Sequence, residues 1–169
     1  MDISKLSYEK KIQLARNANT PVGTLAELAK DDPDVRCEVA KNPNTPVEAL
    51  MVLAKDDPDV RYLVAENPNT PIEILRVLAK DDYWRVRCGV AINPNTPVDI
   101  LAALAQDDDF GVRRGVASNP NSPVEVLAAI LSVELRGDWR RDTLGFIFNH
   151  KNSTDTIRAI IKTVFPGVQ

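Results

Sequence analysis

Four arginines pose the first chemical question. Arg36, Arg61, Arg87 and Arg113 each follow a valine and lie 25, 26 and 26 residues apart. Guanidinium groups at a fixed interval suit two tasks. One is a stripe of forks for the phosphates of a nucleic acid. The other is pairing with nearby carboxylates such as Asp31, Asp56, Asp81 and Asp107, or with turn carbonyls, so that successive layers are tied together. Acidic doublets recur beside them, at Asp31-Asp32, Asp56-Asp57, Asp81-Asp82 and Asp107-Asp108. Paired carboxylates suit acid–base chemistry, but copies at every helix start read as caps and dipole partners. Cys37 and Cys88 have no base at an equivalent position, so a nucleophilic role is not indicated. His150 is the single histidine. Alone it builds neither a triad nor a metal site and reads as a capping or solvent-facing residue, or as part of a basic corner with Trp139, Arg140 and Arg141. No catalytic, metal or cofactor residue is expected.

The charge distribution weighs against the phosphate reading. The formal net charge is −3 over 169 residues. Residues 17–129 carry eleven basic against eighteen acidic side chains, while residues 1–16 and 130–169 each carry an excess of two basic ones. Nucleic-acid readers ordinarily show a basic footprint. A composition that is 44% hydrophobic and 27% charged fits a soluble folded domain. The first residues, MDISKLSYEKK, lack the apolar core of a signal peptide, and no apolar run reaches membrane-spanning length. The expectation is a cytoplasmic chain with no membrane partner. Cys37 and Cys88 sit two units apart, about 16–20 Å if layers stack at about 8–10 Å. A disulfide reaches about 7 Å between Cα atoms. Free thiols in a reducing compartment are expected.

The elements that carry these residues are copies of one another. Asn42 to Glu66 (NPNTPVEALMVLAKDDPDVRYLVAE) recurs from Asn17, Asn67 and Asn93, and in part from Asn119, at spacings of 25, 25, 26 and 26 residues. Such a period marks a solenoid whose units bury their apolar faces only against neighbours. Each unit reads as two helices. Thr45-Pro46-Val47-Glu48 has the form of a capping box with proline at the first helical position. Val47, Leu50, Leu53 and Ala54 then form an inward stripe, as do Val22, Leu25, Leu28 and Ala29 one unit earlier. A shorter second helix follows Asp57-Pro58 and ends at Asn67-Pro68, since the residue before proline is steered away from helix. Residues 1–16 read as an N-terminal capping half-repeat, 17–131 as the repeats, and 132–169 as a degenerate C-terminal cap. In that cap His150 and Thr154 stand where prolines are expected.

The recurring pattern is VRxxVAxNPxTPxxxLxxLAxD. It is carried by Val35-Arg36, Val39-Ala40, Asn42-Pro43, Thr45-Pro46, Leu50, Leu53-Ala54 and Asp56 and their counterparts over residues 10 to 131. It resembles the leucine-rich repeat variant family of bacterial proteins. The resemblance implies an all-α, right-handed solenoid of alternating α- and 3₁₀-helices without β-sheet. The shorter helix of each unit would be the 3₁₀ candidate. Some members of that family carry a cysteine-rich iron–sulfur segment. Cys37 and Cys88 both lie inside repeats, so that cofactor is not implied here. The family has no general activity to carry over, and repeat folds mostly serve binding.

Identity between units separates scaffold from function. Val35, Val60, Val86 and Val112 are invariant and needed for stacking. The column two residues further on (Cys37, Tyr62, Cys88, Arg114) points away from the valines and varies, as does the neighbouring column Lys41, Glu66, Ile92 and Ser118. Small residues beside them suit an inner circumference, so this face is expected to be concave and to bind. The third unit replaces Asp-Pro-Asp with Asp82-Tyr83-Trp84-Arg85 and gains one residue, and the fourth places Phe110 there. These aromatics and Arg85 are either interface anchors or fillers of the gap opened by the extra residue. Together the features point to a non-enzymatic scaffold for a protein or peptide, with Tyr62, Tyr83, Trp84, Arg85, Phe110 and Arg114 as contacts. The alternative is nucleic-acid binding through Arg36, Arg61, Arg87, Arg113 and the basic C-terminal end.

Overall fold

The computed structural model describes residues 2–135 and 141–164, and the backbone alone of Arg141 and Asp142. Trp139 and Arg140 of the expected basic corner lie outside the described residues.

The chain folds as an all-helical solenoid with no strand among the described residues. After a 3₁₀ turn at Ile3–Lys5 come α1 (Tyr8–Arg16), α2 (Val22–Leu28), α3 (Pro33–Lys41), α4 (Val47–Leu53), α5 (Pro58–Glu66) and α6 (Ile72–Leu78). Then follow α7 (Trp84–Ile92), α8 (Val98–Leu104), α9 (Phe110–Ser118), α10 (Val124–Glu134), α11 (Arg141–Asn149) and α12 (Asp155–Val164). Odd-numbered helices form one layer and even-numbered helices the other.

Proline acts differently at the two kinds of helix start. Pro33 and Pro58 occupy the first turn of α3 and α5, where a missing N–H costs nothing. Pro46 instead stands one residue outside α4, its carbonyl accepting from Ala49 and Leu50 N–H. Thr45 therefore does not cap α4 as the sequence suggests. It is buried, and its hydroxyl donates to Val39 O at 2.5 Å, at the end of the preceding helix. A carbonyl left open by a helix end needs a partner more than the solvated start of α4 does.

The relative helix lengths reverse the expectation. The Thr-Pro helices α2, α4, α6 and α8 have seven residues each, the odd-numbered helices α3, α5, α7 and α9 nine, and both kinds are α. Bonds of 3₁₀ spacing close the Thr-Pro helices instead, with Lys55 N–H on Val52 O and Asp56 N–H on Leu53 O. The inward stripe also shifts. Leu50 and Leu53 are fully buried, whereas Val47 is 45% exposed and Ala49 takes its place in the core. Starting the helix after Pro46 turns its first residue outward.

The core runs between the layers. Leu25, Leu50, Leu75, Leu101 and Leu127 face Val39, Val64, Val90 and Val116, all at or near zero exposure. Successive odd-numbered helices lie against one another along much of their length, while successive even-numbered helices meet at few points. Closer spacing on one side bends the stack toward it, so the odd-numbered layer lines the inner curve. Gly89 is one reason the helices approach: a Cβ there would lie 2.9 Å from Ala65 Cβ and 3.1 Å from Tyr62 O.

Candidate partner-binding surface

Two polar ladders fix the odd-numbered helices before any surface is left over. The first is made of asparagine. Asn67 Nδ2 donates to Ala40 O at 2.7 Å and Asn42 O at 2.9 Å, and its Oδ1 accepts from Asn69 N–H at 2.9 Å. Asn42, Asn93 and Asn119 repeat this on the unit before them. Each is buried with three hydrogen bonds, which a buried amide requires.

His150 continues this ladder. Its Nδ1 accepts from Asn152 N–H at 3.1 Å, and Nε2 lies 2.8 Å from Asn119 O. Since a backbone N–H can only donate, Nδ1 is the acceptor and Nε2 carries the proton. The histidine thus stands in the register of asparagine rather than of proline, a shift of one from the sequence reading, because its ring offers the same donor and acceptor as an amide. Thr154 does occupy the proline position at the start of α12.

The second ladder is the arginine one. Arg61 Nε and Nη2 grip Asp81 at 2.7 and 2.9 Å, and Nη1 donates to Asp56 O at 2.6 Å. Arg36 holds Asp56 and Asp31 O, and Arg87 holds Asp107 and Asp81 O, in the same way. Each arginine reaches forward to the next layer's carboxylate and back to its own turn. Arg113 ends the row on buried Glu134 at 2.8 Å, and Lys11 begins it on Asp31 at 2.8 Å. Burial pushes the Asp81 carboxyl up, but the Arg61 bond, the Tyr83 N–H and the Arg61 and Arg87 charges outweigh it and hold it below its ordinary value. Asp56 and Asp107 follow the same pattern. The second aspartates, Asp32 and Asp57, stand at the N-cap position without a side-chain cap bond. Asp109 does cap, accepting from Gly111 and Val112 N–H.

The variable column lies on the inner face of the odd-numbered layer. Cys37, Tyr62 and Cys88 are half-buried and Arg114 is exposed. Both cysteines are free thiols, pushed upward in pKa chiefly by burial. Tyr62 donates to Glu66 Oε1 at 2.6 Å, and burial and that bond raise its phenol well above the usual range. Toward the N-terminus this face opens into a groove of about 560 Å³ lined by residues including Tyr8, Ile12, Arg16, Cys37, Glu38 and Lys41.

The altered third unit and the start of α9 expose three aromatic side chains. Tyr83, Trp84 and Phe110 remain 55%, 46% and 40% exposed. Trp84 lies over Gly111, where an added Cβ would come within 2.9 Å of its ring. Arg61 stacks on Tyr83 with 5.5 Å from Cζ to the centroid, and Arg85 on Tyr62 with 5.9 Å. Arg114 stacks on Phe146 of α11 with 5.1 Å. Phe146 was not singled out in the sequence because the repeat period blurs after Leu131. Lys11 was recoverable, standing 25 residues before Arg36. No group of three or more His, Cys, Asp or Glu side chains suited to a metal occurs among the described residues, and none of their helices is long and apolar enough to cross a membrane.

Comparison with known proteins agrees with this architecture. A family model described as Leucine Rich Repeat Variant domain matches residues 9–46 and 38–82, and another, Leucine rich repeat variant, matches residues 84–109. Neither the curated proteins nor the solved structures yield a match. Repeat domains of this kind generally serve as interaction scaffolds. With its asparagine and arginine ladders, its paired helices and family matches over most of residues 9–109, the chain belongs to the leucine-rich repeat variant family.

Proposed function

We propose that the chain is a non-enzymatic scaffold whose inner face, lined by the odd-numbered helices, holds a protein or peptide partner. One observation carries the reading. The third unit sets three residues, Tyr83, Trp84 and Arg85, where the earlier units have Pro-Asp, and about half of both aromatic side chains stays at the surface. Residues recruited only to fill a gap would be buried. Large aromatics and arginine at a surface are what interface anchors are made of. Tyr62, Phe110 and Arg114 lie on the same and neighbouring layers and extend the surface. The free thiols Cys37 and Cys88 support a reducing, cytoplasmic setting.

The arginine ladder serves this reading as structure. In Arg36, Arg61 and Arg87 the Nε–Nη2 edge that would grip a phosphate is occupied by a carboxylate of the next layer. That weighs against nucleic-acid binding through this row, as does the carboxylate excess of residues 17–129. The test is affinity capture from the source lysate with and without nuclease, comparing wild type with a Tyr83→Ala/Trp84→Ala variant of unchanged helical signal. A protein retained by wild type, lost by the variant and indifferent to nuclease is the expected result. Nuclease-sensitive capture that the variant preserves would overturn the scaffold reading.

A further inference from the structure

Nine arginines have described side chains, and seven of them hold a carboxylate within 4.0 Å: Arg16, Arg36, Arg61, Arg76, Arg87, Arg113 and Arg158. Arg85 and Arg114 hold none among the described residues. Both lie on the inner face, on the adjacent helices α7 and α9, and both are laid over an aromatic ring, Tyr62 and Phe146. In an array with more carboxylates than cations, two guanidinium groups on one face that pair with no carboxylate among the described residues are a departure that needs an account.

The neighbouring carboxylates are already engaged. Glu66 accepts the Tyr62 hydroxyl and Asp109 caps α9. Between the arginines lies Cys88, whose Sγ is 3.5 Å from Gly111 O. Its thiol feels burial first and then Asp109 and Glu66, all raising its pKa, while Arg114 and Arg85 oppose them, so both positive charges reach this spot. Stacking uses the face of a guanidinium and leaves its N–H edge directed outward, which is the edge that binds a planar carboxylate. The ring also limits the conformers that must be frozen on binding. Beside the pair, Trp84 offers an exposed apolar surface.

We infer that Arg85 and Arg114 form a paired anion-binding site for the carboxylate side chains of an acidic peptide segment, with Trp84 receiving an apolar residue next to them. This rests on the inner face being the partner-binding surface. Adjacent helices lie about 8–10 Å apart and an extended chain advances about 3.3 Å per residue. Acidic residues about three apart would therefore reach both guanidinium groups. A nucleic acid is the less suitable occupant, because its phosphates continue past the pair onto a surface where carboxylates predominate, whereas a short acidic segment ends there.

The test follows the arginine Nε–Hε NMR signals during titration with acetyl-hexaglutamate amide, acetyl-hexaglutamine amide and a twelve-nucleotide oligothymidylate. Arg85→Gln and Arg114→Gln, both surface changes, assign the two signals. The expected result is that hexaglutamate shifts the Arg85 and Arg114 signals and leaves those of Arg61 and Arg87 in place, that hexaglutamine shifts none, and that the double variant binds about tenfold more weakly or worse. Equal or tighter response to the oligonucleotide would overturn the acidic-peptide assignment in favour of phosphate. No response to hexaglutamate, or the same response to hexaglutamine, would also overturn it. The scaffold reading stands or falls separately: a lysate protein lost with Tyr83→Ala/Trp84→Ala but kept by Arg85→Gln/Arg114→Gln retains the binding face while removing the carboxylate site.

Discussion

Arg85 and Arg87 stand two residues apart on α7 and live in different regions of the molecule. Arg87 is in the seam: its Nε and Nη2 hold Asp107 in the next layer, and its Nη1 holds Asp81 O in its own turn. Arg85 is on the open face, stacked on Tyr62, with no carboxylate partner among the described residues. The seam residue recurs in every unit and the face residue in none. The same side chain ties layers together in one place and lies on an aromatic ring at the surface in the other, so residue type says little without register. In a repeat protein, register can be read from the chain against itself.

Substitutions sharpen this contrast. The largest loss should follow Asn67→Ala in the seam, which strips partners from two buried carbonyls and from Asn69 N–H. Urea unfolding should show a loss of about 4 kcal/mol. Arg87→Met should cost about 3 kcal/mol by the same measurement, because Asp107 keeps its charge in a half-buried site without its counterion. Gly89→Ala should cost roughly 1 kcal/mol net: the contact with Tyr62 O and Ala65 Cβ forces α5 and α7 apart, offset in part by alanine's helix preference. Gly23→Ala should change sign, since nothing lies within 4 Å of its added Cβ, and raise stability by up to about 1 kcal/mol. Arg85→Gln on the open face should shift stability by less than about 0.5 kcal/mol. If Arg85→Gln unfolds the protein as readily as Arg87→Met, the division into seam and face collapses.

Acid gives an independent handle on the seam. Asp56, Asp81 and Asp107 are held below their ordinary values in the folded state. The folded protein therefore binds fewer protons than the unfolded chain, and their contribution is complete above the unfolded carboxylate value of about 4. It is lost as pH falls from there through the folded values. Thermal melting points should be level at neutral pH and drop below about pH 4, more gently in Asp81→Asn than in wild type.

Much of the fold was legible in the chain, because the units document one another. The paired helices and the inward valines and leucines follow from spacing, which also offered Asp56, Asp81 and Asp107 as arginine partners but not Glu134, the partner of Arg113. What escaped is what spacing does not encode. Thr45 satisfies a cap motif, yet its hydroxyl turns to Val39 O, a choice decided by which polar group the fold buries. Val47 fits the apolar stripe but is turned outward by where Pro46 lets α4 begin. His150 looked like a lost proline because the motif was matched by letter, whereas the ladder selects a donor and an acceptor at the right separation. Of the candidate surface, the departure at Tyr83-Trp84-Arg85 was visible. The stacking of Arg114 on Phe146 joins α9 to a region where the period has faded.

The asparagine, arginine and histidine rungs span between 20 and 31 residues of chain. No rung has to wait for distant ends to meet, so the loop-closure entropy that slows folds built on remote contacts is small at every step. Folding can begin at whichever pair of units first closes and spread outward one layer at a time. The same locality sets how the molecule comes apart: end units open first and the middle ones last, so hydrogen exchange should be slowest at the α5–α7 seam and quicken toward both termini.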